Sequence, residues 1–191
     1  VQVVGVSRFG GTALLTLDSA ETRNALAGPV KDGLQDALAQ VRADPGIRAV
    51  VLAGAGRAFC AGGDLKAIQA AAQCDSDGLR DRMLATHALY RELLMLDRPL
   101  IAAVDGAAYG AGFSLALAAD IVLVTPRARF CMVFMRIGLV PDCGATYTLP
   151  LHDVTFFAGY RYSQLQAQGR ADGFGYDADL VIDGYQFGVS L

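Results

Sequence analysis

Two glycine-rich stretches carry the residue types and spacing that could do chemistry: Phe59-Cys60-Ala61-Gly62-Gly63-Asp64-Leu65 and Asp105-Gly106-Ala107-Ala108-Tyr109-Gly110-Ala111-Gly112-Phe113-Ser114. Each follows a short apolar run that reads as a buried strand, Ala49 to Ala53 and Leu100 to Val104, and each leads into helical spacing. Each is therefore a strand-to-helix corner. Glycines let the backbone turn tightly and let a ligand lie against the main chain. The first N–H groups of a helix have no partner inside it and so attract partial negative charge. Two such corners side by side could aim two backbone N–H groups at one oxygen, the arrangement of an oxyanion hole. Taken alone, each corner also reads as a plain loop, and Asp64 reads as the cap of the helix that follows.

A third candidate is Asp142, in the turn Gly138-Leu139-Val140-Pro141-Asp142-Cys143-Gly144. By residue type alone it is a helix N-cap. His87 sits on an amphipathic helix expected over 79–96, and one histidine with no visible partner is by itself a surface or packing residue. Gly54-Ala55-Gly56 begins like a dinucleotide fingerprint, but Phe59 occupies the place of the third glycine, which argues against a Rossmann site. Cys60, Cys74, Cys131 and Cys143 show no metal-ligand spacing and read as free thiols in a reducing cytoplasm, with no structural metal expected.

The elements that must position these residues follow in order. Val1–Val6 and Ala13–Leu17 flank Phe9-Gly10-Gly11 and read as a hairpin. Val30, Leu34, Leu38 and Val41 recur at helical spacing between Pro29 and the stop at Pro45-Gly46. After the second corner come a strand over Ile121–Val124 and another short one after Arg127. Strands alternating with helices make the fold α/β.

Composition bounds the rest. A chain of 191 residues with 53% hydrophobic content can bury one sizeable core, so a single globular unit is expected. A net charge of −3 gives no basic field for nucleic acid or an anionic membrane surface. The longest uncharged apolar stretch, Ala107 to Ala119, is shorter than the roughly 18 residues a membrane span needs. Val1 to Val6 lacks the basic start of a secretory signal, so a cytoplasmic protein is expected.

Together the motifs resemble the crotonase, or enoyl-CoA hydratase/isomerase, superfamily. They are Arg23-Asn24-Ala25-Leu26, Gly56 through Leu65, Arg98-Pro99, Asp105-Gly106 with Gly110-Ala111-Gly112, Ala119-Asp120-Ile121, and Gly138 through Gly144 running on to Leu149-Pro150. The resemblance covers residues 1–150 and implies a ββα spiral. Residues 151–191 form an atypical C-terminal tail, which holds half the aromatics of the chain and no lysine, and in which Asp179 to Tyr185 reads as an edge strand. Without the family's usual ending, weaker assembly is expected than the homotrimer or hexamer the resemblance implies.

The resemblance also implies roles. The N–H groups of Ala61 and Ala111 would polarise a thioester carbonyl, and Ala25, Gly62, Gly63, Asp64, Leu65, Gly110, Phe113, Ser114 and Phe134 would line the substrate. Arg23, Arg57 and Lys66 are candidate cations for coenzyme A phosphates, although exposed cations are commonly just solvated. No cofactor is implied, since the coenzyme A thioester is itself the substrate. Hydratases of the family use two glutamates to activate water, and here Ser114 and Phe134 stand at those positions. Asp142 coincides with the acidic residue of the isomerase and dehalogenase branches and makes the chain similar to the isomerases of the phenylacetyl-CoA pathway. An acyl-CoA double-bond or ring-epoxide isomerase with Asp142 as acid/base is thus the leading expectation. A hydrolase or dehalogenase with Asp142 as nucleophile, for which His87 would be a minor candidate, is one alternative, and a non-catalytic acyl-CoA-binding protein is another.

Overall fold

The computed structural model describes residues 3–72, 76–134, 149–151, 154–159, 167–171, 174–178, 181–182 and 185–190. Its compact units are Val1–Val133 and Phe134–Leu191.

The first unit begins with the expected hairpin, β1 (Val4–Phe9) and β2 (Thr12–Leu17), paired antiparallel around Gly10. A left-handed loop at Arg23 and Asn24 precedes α1 (Gly28–Ala43). Pro29 stands in the first turn of α1, where its missing N–H costs nothing, and the chain leaves the helix just before Pro45. The buried residues of α1, Val30, Leu34, Ala37, Leu38 and Val41, fall on one stripe, as the helical period requires. Burying each of these leucines stabilises the fold by about 1.5–3 kcal/mol.

From there the chain winds in repeats. β3 (Ala49–Gly54) and β4 (Ala58–Cys60) lead to α2 (Leu65–Ala72) and α3 (Ser76–Leu94). β5 (Leu100–Val104) and β6 (Ala107–Tyr109) lead to α4 (Ala111–Leu117), and β7 (Ile121–Val124) is followed by β8 (Arg129–Cys131). Each repeat gives one strand to a five-stranded sheet of order β1-β2-β3-β5-β7 and one to a three-stranded sheet of order β4-β6-β8. From β2 onward the first sheet is parallel, with Leu15 beside Leu52 and Leu52 beside Ala102, all fully buried. This is the ββα spiral.

The short strands β4 and β6 correct the expectation of corners that run straight from strand to helix. Each spans three residues, too few for a strand period to register in sequence. Their pairing brings the two corners together.

The second unit contains β9 (Leu149–Leu151), β10 (Val154–Gly159), β11 (Ala167–Ala171), β12 (Phe174–Ala178), β13 (Val181–Ile182) and β14 (Tyr185–Ser190). They form antiparallel sheets of order β13-β14-β10-β9 and β11-β12. The strand expected within Asp179–Tyr185 is the short β13, at the edge of the larger sheet; the residues flanking it lie outside those described. Asp142 also lies outside the described residues. Among the described residues no helix is long and apolar enough to cross a membrane.

Candidate active site

β4 and β6 run parallel with Cys60 beside Ala108, so the chain leaves both strands at the same, carboxyl, edge. β8 joins them in the same direction, with Tyr109 beside Cys131. The two corners are therefore neighbours. Their glycines make that approach possible. A Cβ on Gly112 would overlap the Cys60 carbonyl, and one on Gly106 would overlap the carbonyl of Arg57. A Cβ on Gly62 would stand 3.5 Å from the Ala111 nitrogen, so the two glycine turns meet there.

The first corner is laced to the Arg23–Leu26 loop. Asn24 is fully buried in the left-handed region, a conformation its short polar side chain tolerates. Its Nδ2 donates to the carbonyls of Ala55 (2.9 Å) and Ala58 (2.8 Å), and its Oδ1 accepts the Ser19 N–H at 2.8 Å. The Leu26 N–H donates to the Gly62 carbonyl at 2.7 Å, which sets Ala25 against the corner. Ala25 and Gly62 are buried.

Accounting for each N–H overturns one expected role. The Ala61 N–H donates to the Arg23 carbonyl at 3.0 Å, so it is not open to a ligand. The Gly62 backbone acts on the Cys60 thiol, opposing the rise in its pKa that burial imposes. The Gly63 N–H has no partner among the described residues, which makes Gly63 the available donor of this corner. Sequence reasoning named Gly63 only as a lining residue, because nothing local in the chain shows that Arg23 returns to cap Ala61.

At the second corner the Gly110 N–H donates to the Cys131 carbonyl at 2.8 Å. The Gly110 carbonyl turns into α4 and accepts the N–H groups of Phe113 (2.9 Å) and Ser114 (3.1 Å). In a planar trans peptide the C=O and the following N–H point in opposite directions, so the Ala111 N–H faces away from α4. It has no partner among the described residues. The backbone of Gly110, at φ 50° and ψ −120°, is one that glycine alone adopts readily.

The remaining candidates divide. Ser114 is buried, and its hydroxyl lies 3.5 Å from the Gly110 carbonyl. Phe113 is buried and tilts against Phe130, ring centroids 4.9 Å apart. Phe134 is buried too. No carboxylate is present at position 114 or 134. Asp64 caps α2, its Oδ1 accepting the N–H groups of Lys66 (3.1 Å) and Ala67 (3.2 Å). Leu65, at the start of α2, is 58% exposed. Arg23, Arg57 and Lys66 are exposed.

Burial pushes the Cys60 thiol up to about 12, against the opposing hydrogen bond from Gly62, so Cys60 stays a neutral packing group at the floor of the corner. Asp105, at the start of the second stretch, is held below the usual carboxylate range, first by the Thr125 hydroxyl (2.6 Å) and then by Arg127. Among the described residues no group of His, Cys, Asp and Glu side chains converges as a metal site would require.

Residues 8–152 match the family described as enoyl-CoA hydratase/isomerase. Among relatives, a protein named probable enoyl-CoA hydratase EchA14 from Mycobacterium tuberculosis is 41% identical over 137 residues, 72% of this chain and 52% of the relative. The 1,2-epoxyphenylacetyl-CoA isomerase of Escherichia coli is 40% identical over 142 residues, 73% of this chain and 54% of the relative. Among solved structures, an enoyl-CoA hydratase from Polaromonas sp. JS666 superposes with a TM-score of 0.70 at 38% identity, over 73% of this chain and 55% of that one. The chain thus spans about half the length of the curated relatives it matches.

Proposed function

The chain belongs to the enoyl-CoA hydratase/isomerase family, and from that membership we propose that it is an acyl-CoA isomerase acting on a double bond or a ring epoxide beside a thioester. The observation that carries the reading is the meeting of two glycine corners whose Gly63 and Ala111 N–H groups have no partner among the described residues, while Ser114 and Phe134 supply no carboxylate pair to orient water.

In this reading the coenzyme A thioester carbonyl sits between the two N–H groups. Removal of a proton from the α- or γ-carbon then leaves an enolate whose charge rests on that oxygen. In a site shielded from water, fixed dipoles of this kind are each worth about 2.7–4 kcal/mol in the transition state. In a double-bond shift Asp142 takes the proton from one carbon and returns it to the other, so nothing is gained or lost overall. The relatives carry both hydratase and isomerase names, and the sequence at positions 114, 134 and 142 favours the isomerase. Assembly as a trimer or hexamer and residence in the cytoplasm, with its thiols reduced, belong to the same proposal.

The test is a panel of enoyl- and aryl-CoA thioesters followed by ultraviolet and mass change in deuterated solvent. The parent should place deuterium at the α- or γ-carbon. Asp142→Asn should lower turnover by about 10²- to 10⁴-fold with thioester affinity nearly unchanged. Hydration of crotonyl-CoA by the parent as fast as isomerisation, or a fully active Asn variant, overturns the assignment.

A further inference from the structure

We propose that Tyr90, on α3, is a positioning residue that holds the Ala111 peptide in register for the oxyanion hole; the inference rests on the thioester reading given above. Ala111 lies between Gly110 and Gly112, the residue type with the greatest backbone freedom. Neither glycine is replaceable. Gly110 has a φ of 50°, and a Cβ on Gly112 would overlap the Cys60 carbonyl. Close approach of the corners therefore puts a hole donor on the most pliable kind of backbone.

A hydrogen bond from outside α4 offsets that freedom. The Tyr90 hydroxyl donates to the Ala111 carbonyl, and the contact is buried. Tyr90 is 4% exposed, and Leu89 and Leu93 on the same helix are buried too, so the ring is enclosed in the protein interior. On one side of Ala111 the Gly110 peptide is held by Cys131, Phe113 and Ser114; on the other the Ala111 carbonyl is held by Tyr90. The Ala111 N–H shares a plane with the Gly110 carbonyl, which Phe113 and Ser114 align; the Tyr90 bond fixes the following plane and so limits the rotation at Ala111 that would let the first plane drift. A hole depends on donors that need no reorganisation when charge develops, so looseness here lowers the rate more than it lowers binding.

The experiment compares the parent, Tyr90→Phe and Ala111→Pro with a chromophoric aryl-CoA thioester, reading the carbonyl stretch of the bound thioester by difference Raman spectroscopy alongside kcat and KM. The parent should shift the stretch to lower frequency, and Ala111→Pro should abolish the shift. Tyr90→Phe should lose part of it, with kcat down about tenfold, as the loss of one buried hydrogen bond implies, and KM within about threefold. If Tyr90→Phe does not accumulate folded, fluorotyrosine at position 90 keeps the hydroxyl and strengthens it as a donor, and the shift should then increase. A parent that shows no shift overturns the hole and this inference with it. A parent that shifts, with a Tyr90→Phe variant that shifts equally and turns over equally, overturns the role of Tyr90 alone, whatever its effect on Tm.

Discussion

Gly62 lies against Tyr109 so closely that a Cβ at position 62 would stand 2.5 Å from the Tyr109 carbonyl oxygen. Its φ of 99° is a second reason for glycine. Gly62→Ala should cost about 2–6 kcal/mol, the sum of backbone strain and overlap. Urea unfolding followed by circular dichroism measures this, and an unchanged midpoint would show that the two corners do not touch.

Ala111 stands at the first position of α4, where proline is tolerated. Ala111→Pro should keep the helix while deleting the N–H, lowering turnover at least about a hundredfold, and Ala111→Gly should lose far less. Proton resonances of Gly63 and Ala111 should move downfield when a thioester binds, while that of Ala61, bonded to the Arg23 carbonyl, stays in place. Movement of Ala61 in place of Gly63 would restore Ala61 as the donor.

Asn24 answers two carbonyls and one N–H from a fully buried position. Asn24→Ala leaves all three without their partner and should destabilise the fold by about 3–5 kcal/mol. Asn24→Asp aims a carboxylate at the carbonyls of Ala55 and Ala58, which favours its protonated form in the folded state. Its deficit relative to the parent should therefore shrink as the pH falls toward 4, and a deficit that stays constant with pH contradicts the bonding described.

Asp105, bonded to Thr125 and Arg127, has its folded pKa lowered from 3.8. A depressed carboxylate contributes stability that is fully present above the unfolded value and is lost as pH falls through the folded one. Asp105→Asn should thus lower Tm at neutral pH, with the gap to the parent closing below about pH 4. Thermal unfolding of both proteins across pH 2–7 measures it, and a gap that widens in acid reverses the sign.

The sequence by itself determined the frame. The buried stripe of α1 from Val30 to Val41, the strands over Ala49–Gly54, Leu100–Val104 and Ile121–Val124, and the glycines at both corners were legible because periodicity and turn geometry are local properties of a chain. The motif order also carried the family. Tertiary structure alone decided which N–H groups remain open. Ala61 and Gly63 are neighbours in a glycine-rich turn, and nothing near them distinguishes one donor from the other; the difference is the Arg23 carbonyl, brought back by a left-handed loop that Asn24 pins in place. Tyr90 is likewise an ordinary core position on an amphipathic helix until the fold brings its hydroxyl to the Ala111 carbonyl. Hydrogen-bond satisfaction is settled between segments distant in the chain, so it is visible only once they have packed.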